Sequence, residues 1–548
     1  MGNIDDARAW IAQDPDPVTR AELDALVAQV EAGEDAAAAD LAERFSGRLE
    51  FGTAGLRGEL GAGPMRMNRV LVAQAAAGLA AYLLAREPHP SAVIGYDGRH
   101  NSAVFARDSA AILAGAGVQA TILPRPLPTP VLAFAVRELR VSAGIMVTAS
   151  HNPARDNGYK VYLGGADGGS QIVAPADGEI AAEIVRAATV PFAQHPTSSD
   201  VHTADEALID EYVRRTAEVA GEPAPLRYVY TPMHGVGREV AEKVFGSAGF
   251  AAPIIVAAQG DPDPDFPTVA FPNPEEPGAM DLAFQAARDA DADLVIANDP
   301  DADRVAVGVP DPETRGGWRR LTGNEVGWLL GWRAAREHDT GTLACSIVSS
   351  PALREVARVR GLDFVETLTG FKWISRASRL IYGYEEALGY LVDPGKVRDK
   401  DGISAAVAVL SLFSELRATG ETLESHLDHF ALEFGAFSSA QISIRVADLA
   451  EIPRTMARLR ADPPTEVGGI PVDGVDDYLL GVDGFAANDI LRLRLAGGGR
   501  VIVRPSGTEP KLKCYLDASS REGSATERRA AAAASVATLE AGMQALLG

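Results

Sequence analysis

A serine with the context of a nucleophile follows an apolar segment in the first third of the chain. Gly144–Val147 is apolar, and the next residues are TASHNP, which contain Ser150 and His151. In α/β sheets, ligands bind at the loops that follow the carboxyl ends of strands, so Ser150 is a candidate for covalent chemistry. The alternative is a turn that only ends the strand. The chain has no Gly-x-Ser-x-Gly segment, so a hydrolase triad is not indicated.

Lysines are scarce, which makes their positions informative. Only seven of the 51 basic residues are lysines. Arginine replaces lysine on most surfaces, but not where a compact ammonium or a removable proton is needed. Lys160 lies ten residues after Ser150, behind the turn signal Asp156–Gly158, and Lys372 ends the segment TGFK. Both are candidates for a role in catalysis, and chance clustering is the alternative.

Three aspartates follow a second apolar segment, Leu294–Ala297. Asp299, Asp301 and Asp303 lie within five residues. Carboxylates this close repel one another unless a cation lies among them, and hard oxygen ligands suit Mg²⁺. An EF-hand is excluded because its sixth position would be Arg304 and its twelfth Pro310. The short pattern of haloacid-dehalogenase-type phosphatases and a solvated acidic loop remain as alternatives.

Two segments combine glycine with arginine in a way that could hold phosphate. The first is Gly52–Gly58, GTAGLRG, which contains Arg57. The second is Arg504–Pro510, RPSGTEP, in which Arg504 offers a bidentate guanidinium and Ser506, Gly507 and Thr508 offer hydroxyl and backbone donors. The alternatives are an ordinary glycine-rich turn and a surface turn. Neither segment is a dinucleotide or Walker A motif.

Two adjacent carboxylates lie in an otherwise apolar segment. Gly383–Tyr390 reads GYEEALGY and contains Glu385 and Glu386. Carboxylates accept hydrogen bonds from sugar hydroxyls, so this segment could bind a sugar. A half-exposed strand edge is the alternative.

These candidates must be positioned by alternating strands and helices. The first 50 residues are predicted to be mostly helical, with Leu23, Leu26, Val27 and Val30 on one face. After them, strand and helix patterns alternate, which indicates α/β domains with a largely parallel sheet. The Asp- and Pro-rich segment Asp261–Pro277 is predicted to be a loop, and the polar stretch Ala193–Asp205 a linker. From about Gly435 the pattern changes to that of a smaller α+β domain.

Composition narrows the class of protein. The chain has 548 residues, 47% of them hydrophobic, and a net charge of −24. Such an acidic chain is not expected to bind nucleic acid or an anionic membrane. Two cysteines, Cys345 and Cys514, cannot form a disulfide framework. The N-terminus does not resemble a signal peptide, and the apolar run Val70–Ala85 is too short to span a bilayer, so a soluble cytoplasmic protein is expected.

The order of the motifs carries more information than any one of them. GTAGLR, TASHNP, DPDADR, EEALG and RPSGTEP follow one another from Gly52 to Pro510. This series resembles the α-D-phosphohexomutase superfamily, and within it the phosphoglucomutase branch that includes phosphopentomutase-like members. The N-terminal 50 residues lie outside these motifs.

The resemblance implies an α/β enzyme with three α/β/α sandwich domains, with mixed sheets, and a smaller α+β C-terminal domain, in a heart-shaped arrangement around one cleft. The implied domains are 1–200 with the phosphoserine loop, 201–318 with the metal loop, 319–435 with the sugar-binding loop and 436–548 with the phosphate-binding loop. The enzyme would be cytoplasmic and either a monomer or a homodimer.

The resemblance also implies a role for each candidate residue. Ser150 would carry the transferable phosphoryl group and, with Asp299, Asp301 and Asp303, would bind one Mg²⁺ per chain. Besides Ser150, the resemblance implies catalytic roles for Lys160, Lys372, Arg57 and His151. The substrate would be held by Glu385, Arg504, Ser506, Gly507, Thr508 and Arg304.

The implied activity is interconversion of a sugar 1-phosphate and a sugar 6-phosphate, with glucose, mannose or both as the sugar, or of pentose 1- and 5-phosphates. The reaction would pass through a phosphoserine and a sugar bisphosphate, and glucose 1,6-bisphosphate would act as activator. Many hexose-specific relatives have Ser where this chain has Ala387, so strict glucose or mannose specificity is not expected. A metal-dependent sugar-phosphate phosphatase and a non-catalytic sugar-phosphate-binding protein are the alternatives.

Overall fold

The structure is a computed structural model that forms two compact units. One unit contains residues 1–321 and 389–411, and the other contains residues 322–388 and 412–548. The residues that the structure describes are 2–52, 54–446, 448, 450–482, 484–506 and 511–547.

Three helices at the N-terminus pack around a small apolar core that also includes Ala62 and Val70. They are α1 Gly2–Gln13, α2 Pro17–Glu31 and α3 Asp35–Arg44. Asp16 caps α2 by accepting a hydrogen bond of 2.9 Å from the Val18 N–H, and Pro17 is tolerated in the first turn because its missing N–H has no partner there anyway. Leu23, Leu26 and Val27 are buried, which confirms the predicted helical face in this region.

A seven-stranded mixed sheet follows. Its strands are β1 Leu56–Glu59, β2 Ser91–Tyr96, β3 Gln119–Ile122, β4 Ala143–Val147, β5 Asp156–Leu163, β6 Ser170–Gln171 and β7 His202–Thr203. Its helices are α4 Arg69–Leu84, α5 Ser102–Ala116, α6 Thr129–Glu138 and α7 Ala176–Ala187. The order is β1-β5-β4-β2-β3-β7, with β6 beside β5. Strands β4, β2, β3 and β7 are parallel, whereas β5 is antiparallel to both of its neighbours in that order, so the sheet is mixed rather than largely parallel.

One local prediction for this region was wrong. Asn157 and Gly158 are not a turn but lie in β5, where Asn157 is fully buried and donates hydrogen bonds to the His100 carbonyl at 2.8 Å and the Ser102 hydroxyl at 3.0 Å. These tertiary partners outweigh the turn preference of the dipeptide. The predicted linker contains strand β7, which pairs with β3 at the edge of the sheet.

The second sheet of the first unit carries the acidic segment. Its elements are α8 Glu206–Ala217, β8 Tyr228–Thr231, α9 Arg238–Ser247, β9 Ile254–Ile255, α10 Asp281–Asp289, β10 Leu294–Asn298, β11 Val305–Pro310 and β12 Trp318–Arg320. The order is β12-β11-β10-β8-β9. Because β10 and β11 are antiparallel neighbours, residues 299–304 form the connection of a hairpin. The segment Asp261–Pro277 has no helix or strand among its residues, as predicted.

The second unit begins with a parallel sheet. Its elements are α11 Gly323–Glu337, β13 Thr342–Ser346, α12 Ala352–Arg360, β14 Asp363–Thr367, α13 Phe371–Ile374 and β15 Leu380–Glu385. Strand β13 is parallel to both β14 and β15. Strand β16, Gly389–Leu391, belongs to the first unit, and helix α14, Gly402–Thr419, begins in the first unit and ends in the second.

The C-terminal part of the second unit is an antiparallel α+β layer, as the sequence pattern predicts. Its elements are α15 Leu423–Phe434, β17 Ala436–Arg445, α16 Glu451–Ala461, β18 Glu466–Val467, β19 Ile470–Asp477, β20 Leu491–Leu495, β21 Arg500–Pro505, β22 Lys511–Ser520 and α17 Ala525–Leu547. The order is β17-β22-β21-β20-β19-β18. Alternate residues of β20 face a core that includes Leu491, Leu493 and Leu495.

Two helices in the described residues have the length and hydropathy of a membrane span. In α14, 72% of the apolar window is buried inside the protein, which is the pattern of a core helix. In α17 the buried share is 22%, and this helix packs against β17 and β22. Length and composition alone assign neither helix to a membrane.

Candidate active site

The loop after β4 places Ser150 in a buried, constrained position. Ser150 is 2% exposed and has a φ of +53°, in the left-handed region that non-glycine residues rarely adopt. Its N–H donates a hydrogen bond of 2.8 Å to the Thr148 hydroxyl. Its Oγ donates to Asp299 Oδ2 at 2.9 Å and lies 3.1 Å from His151 Nδ1. The serine oxygen is therefore held between an acidic and an imidazole group.

The three aspartates of the β10–β11 connection converge on one small volume. Asp299, Asp301 and Asp303 are each at most 1% exposed, and one oxygen from each lies within 4.8 Å of those of the other two. The backbone bends sharply between them, because Ala302 has a φ of +54°. Three buried carboxylates at this distance require compensating positive charge.

Part of that charge comes from two lysines. Lys160 Nζ donates to Asp301 Oδ2 at 2.8 Å and to Asp303 Oδ2 at 3.0 Å. Lys400 Nζ lies 3.2 Å from the same Asp303 oxygen. The Thr129 hydroxyl adds a hydrogen bond of 2.6 Å to Asp301 Oδ2. The site thus joins side chains from β5, the start of α6 and the segment before α14.

The directions of the pKa shifts show that the negative charges of the three aspartates are compensated unequally. Burial, and then the charges of Asp301 and Asp303, raise the pKa of Asp299 well above its usual range. Burial also opposes ionisation of Asp303, but Lys160 and Lys400 outweigh it and lower the pKa of that carboxyl. Burial lowers the pKa of Lys160, but Asp301 and Asp303 more than reverse that effect and the net pKa is raised. Asp299, the partner of Ser150, is the carboxylate with the least positive charge beside it.

The donor set fits a hard divalent cation. Asp301 Oδ1 and Asp303 Oδ1 are buried and accept no hydrogen bond from any residue that the structure describes. The nearest guanidinium nitrogen, Arg304 Nε, is 3.8 Å from Asp303 Oδ1. Leaving buried carboxylate oxygens without donors is costly, and carboxylate oxygens on a tight connection are the ligands that Mg²⁺ prefers. The three aspartates together with the Ser150 hydroxyl could hold such an ion.

Arg57 and Arg304 lie within electrostatic range of His151, the residue next to Ser150. Arg57 lies in β1, a strand that the sequence pattern did not predict because Leu56 is its only apolar residue. Arg304 donates its backbone N–H to Asp299 Oδ1 at 3.0 Å. Burial, and then the nearby Arg304 and Arg57, lower the pKa of His151 well below its usual value, so its imidazole is neutral at neutral pH. The two guanidinium groups remain charged and are suited to an anion.

Glu385 and Lys372 lie in the second unit. Glu385 ends β15, and its Oε1 accepts a hydrogen bond of 2.7 Å from the Gly370 N–H. Gly370 has a φ of +115°, which suits glycine, and precedes the short helix α13 that contains Lys372. Glu386 Oε2 instead accepts from the hydroxyls of Ser346 and Ser349 at 3.0 and 3.2 Å. The two adjacent glutamates are therefore held by different neighbours.

Arg504 and Ser506 lie at the end of β21, also in the second unit. Arg504 is opposite Lys513 of β22 in the antiparallel register. The Ser506 N–H donates to the Lys511 carbonyl at 2.8 Å. The predicted phosphate ligands Gly507 and Thr508 lie outside the described residues.

Sequence reasoning did not assign roles to three residues that contact this site: Arg99, Thr129 and Lys400. Lys400 could have been identified from the sequence as a candidate, because it is one of the few lysines. Arg99 could also have been identified, because it follows the carboxyl end of β2, where ligand-binding loops occur. Thr129 has no visible signal, since its partner Asp301 is 172 residues away in the chain.

Comparison with known families accounts for most of the chain. Four segments match the domains described as phosphoglucomutase/phosphomannomutase alpha/beta/alpha domains I, II and III and the C-terminal domain. The matched residues are 48–190, 210–313, 322–432 and 442–534.

Curated relatives are similar over nearly their whole length. A probable phosphomannomutase of Haemophilus influenzae is 55% identical over 467 residues, which cover 85% of this chain and 95% of the relative. A phosphopentomutase of Mus musculus is 34% identical over 93% of this chain and 89% of its own length. Among solved structures, a putative phosphomannomutase from Thermus thermophilus shares the fold, with a TM-score of 0.70, 22% identity and coverage of 91% of this chain and 99% of that one.

Proposed function

We propose that this chain transfers the phosphoryl group of a phosphosugar through Ser150. The chain belongs to the phosphoglucomutase/phosphomannomutase family and is a phosphohexomutase. One observation carries the assignment. The Ser150 hydroxyl is buried, donates to Asp299 at 2.9 Å and lies 3.1 Å from the His151 ring, whose pKa is lowered by burial and by the charges of Arg304, Arg57 and Lys160. A phosphoryl group on Ser150 would meet positive charge on several sides, which is the main requirement of phosphoryl transfer.

In the proposed reaction, phosphorylated Ser150 donates to the free hydroxyl of a sugar monophosphate. The O–P bond at Ser150 breaks as the bond to the sugar oxygen forms, and the hydroxyl proton passes to a base. The product is a sugar bisphosphate, which turns over so that its other phosphoryl group returns to Ser150. Substrate and product then differ only in which sugar oxygen carries phosphate. A sugar bisphosphate such as glucose 1,6-bisphosphate would load Ser150 and so act as activator.

Asp299, Asp301 and Asp303, with an oxygen at Ser150, would hold one Mg²⁺. When bound, the ion would withdraw charge from the phosphoryl oxygens. Lys160 is paired with two of these aspartates and is placed to neutralise oxygens on the same side. Arg57 and Arg304 would orient the phosphoryl group, and neutral His151 would orient the Ser150 oxygen through its contact of 3.1 Å.

Further residues would hold the rest of the substrate. We assign the sugar hydroxyls to Glu385, and the phosphate that is not reacting to Arg504, Ser506, Gly507 and Thr508. Lys372, which follows the backbone N–H that binds Glu385, would lie near the reacting groups. Two phosphate sites in one enzyme suit a mutase, because hydrolysis of a monophosphate needs no second one.

The sugar is proposed to be glucose or mannose, with pentose phosphates as further candidates. The named relatives differ on this point, since one is a probable phosphomannomutase and another a phosphopentomutase. We also propose that the chain is divided into domains 1–200, 201–318, 319–435 and 436–548. The protein would be cytoplasmic, would be a monomer or a homodimer, and would bind neither nucleic acid nor a membrane.

The experiment is a product analysis. The protein is incubated with glucose 1-phosphate, Mg²⁺ and a trace of glucose 1,6-bisphosphate, and glucose 6-phosphate and free phosphate are measured. Mannose, glucosamine and pentose 1-phosphates are tested in parallel. A mutase yields the isomer, a phosphatase yields free phosphate, and a binding protein yields neither. Ser150→Ala should lower the rate by about 10³-fold or more, and near wild-type turnover in this variant would remove Ser150 from the reaction.

A further inference from the structure

The Arg99 guanidinium donates hydrogen bonds to the backbone of the loop that contains Ser150. Its side chain is 1% exposed. Its Nη2 donates to the carbonyls of Ser150 at 2.6 Å and Asn152 at 2.5 Å. Its Nη1 donates to the carbonyls of Pro153 at 2.7 Å and Asp156 at 3.2 Å. One guanidinium therefore satisfies four backbone acceptors of a single short loop, which a lysine ammonium could not do with its three N–H groups at one point.

This contact acts on the strained residue itself. Ser150 adopts a φ of +53°, in the left-handed region that is unfavourable for a non-glycine residue. Its carbonyl is fixed by Arg99 and its N–H by the Thr148 hydroxyl. Both polar groups of the Ser150 backbone are thus held by side chains, and this determines the direction in which Oγ leaves the loop. Strain at a reactive residue persists only where its surroundings impose it.

A residue of the Asp- and Pro-rich segment holds Arg99 in turn. The guanidinium carbon of Arg99 lies 4.8 Å from the centre of the Phe266 ring, within the range of a cation–π contact. Phe266 is 4% exposed and has a φ of +45°, so its backbone is also strained. Next to this pair, His100 Nε2 lies 2.7 Å from Asp265 Oδ1. The segment thus packs along residues 98–100 and covers the outer face of the guanidinium.

We propose that Arg99 and Phe266 are positioning residues that hold Ser150 in its left-handed conformation and thereby aim its Oγ at the transferred phosphoryl group. The inference rests on the proposed role of Ser150. Neither residue touches the substrate in this account. Their loss should slow phosphoryl transfer to and from Ser150 while leaving substrate binding in place, because the binding groups lie elsewhere.

The first test is Arg99→Lys, with Arg107→Lys on the exposed face of α5 as control. Four quantities are measured: the single-turnover rate of Ser150 phosphorylation by glucose 1,6-bisphosphate, kcat and KM for the sugar phosphate, and the thermal unfolding midpoint. We expect the phosphorylation rate and kcat of Arg99→Lys to fall together by about 10²-fold, with KM little changed. A phosphorylation rate equal to that of wild type overturns the proposal.

If Arg99→Lys does not fold, substitutions of Phe266 test the same contact from the side of the aromatic ring. Phe266→Leu removes the ring face, Phe266→Tyr keeps it, and Phe250→Leu is a matched loss of a buried ring in the same part of the first unit. We expect phosphorylation to slow by about 3- to 30-fold in Phe266→Leu, from the strength of a cation–π contact, and to be retained in Phe266→Tyr and Phe250→Leu. Equal slowing in Phe266→Leu and Phe250→Leu indicates a structural effect only and overturns the proposal.

The same experiments separate this inference from the proposed function. If Ser150→Ala remains active, the phosphoserine mechanism fails and the positioning role fails with it. If Ser150→Ala is inactive but Arg99→Lys and Phe266→Leu phosphorylate at the wild-type rate, only the positioning role fails.

Discussion

Lys160 donates a hydrogen bond of 2.8 Å to Asp301, although the two residues are 141 positions apart in the chain. Lys160 is opposite Met146 in the antiparallel β4–β5 pair, so it lies beside the strand that leads to Ser150. Asp301 lies in the connection of another sheet. Their contact joins strand β5 to the acidic connection and supplies part of the positive charge that the three aspartates require.

Replacing Lys160 by methionine should change metal binding and catalysis in opposite directions. Lys160→Met removes a charge that competes with a metal ion for Asp301 and Asp303, so Mg²⁺ should bind more tightly. The same change removes a cation from the proposed phosphoryl site, so kcat should fall by about 10²- to 10⁴-fold. Calorimetric titration with Mg²⁺ and steady-state kinetics measure the two effects. Weaker Mg²⁺ binding in Lys160→Met would contradict this account of the ion pairs.

Asp301→Asn should weaken metal dependence without unfolding the protein. Asparagine retains the shape of the side chain, and its amide oxygen can still accept the hydrogen bond of 2.6 Å from Thr129, but the charge is lost. We expect the Mg²⁺ concentration for half-maximal activity to rise by at least about 10- to 100-fold. Asp291→Asn is the control, because Asp291 is exposed and its φ of +49° suits asparagine. If EDTA leaves the wild-type enzyme fully active, the metal assignment is wrong.

Arg504→Ala should mainly affect substrate binding and water exclusion. Losing a charge-assisted bidentate contact to phosphate should raise KM by about 10- to 100-fold. Phosphorylation of Ser150 by a high concentration of bisphosphate should persist. With the phosphate held less firmly, water should compete more often for the phosphoserine, which should raise the ratio of hydrolysis to isomerisation. Arg454→Ala removes an exposed arginine of the same part of the second unit and should change neither quantity. An unchanged KM and an unchanged ratio in Arg504→Ala would exclude its loop from the site.

His426 should make the stability of the second unit depend on pH. Burial, and then Arg336, lower the pKa of His426 to about 4, and its ring stacks on Trp332 with centroids 4.3 Å apart. The folded state therefore binds this proton less readily than the unfolded chain, whose histidines titrate near 6.5. The stabilisation from neutral His426 is complete above about pH 6.5 and is lost as the pH falls towards about 4.

His426→Phe keeps a stacking ring but cannot bind a proton. We expect its unfolding midpoint to fall less than that of wild type between about pH 7 and about pH 4.5. Circular dichroism melts across this interval measure the difference. Parallel profiles for His426→Phe and wild type would show that His426 does not carry this pH dependence.

Much of the secondary structure could be predicted because its signals are local. The apolar run that begins at Val70 forms α4, Arg69–Leu84, and the segment Gly144–Val147 lies within β4. The order of the motifs was sufficient to identify the family, which the four domain matches confirm. Strand β1 could not be predicted in this way, because four residues with one apolar side chain form a strand only when β5 offers a partner.

Chain order is sufficient to show which residue types are neighbours in each loop: the serine and histidine of one, and the three aspartates of another. The partners of those side chains depend on the packing of distant segments. Asp301 obtains its donors from Thr129 and Lys160, which are 172 and 141 residues away, and the carbonyl of Ser150 obtains its donor from Arg99, 51 residues away. Hydrogen bonds and ion pairs act over a few ångströms in space, so contacts between distant segments depend on how sheets and loops pack and leave no periodic signal in the chain.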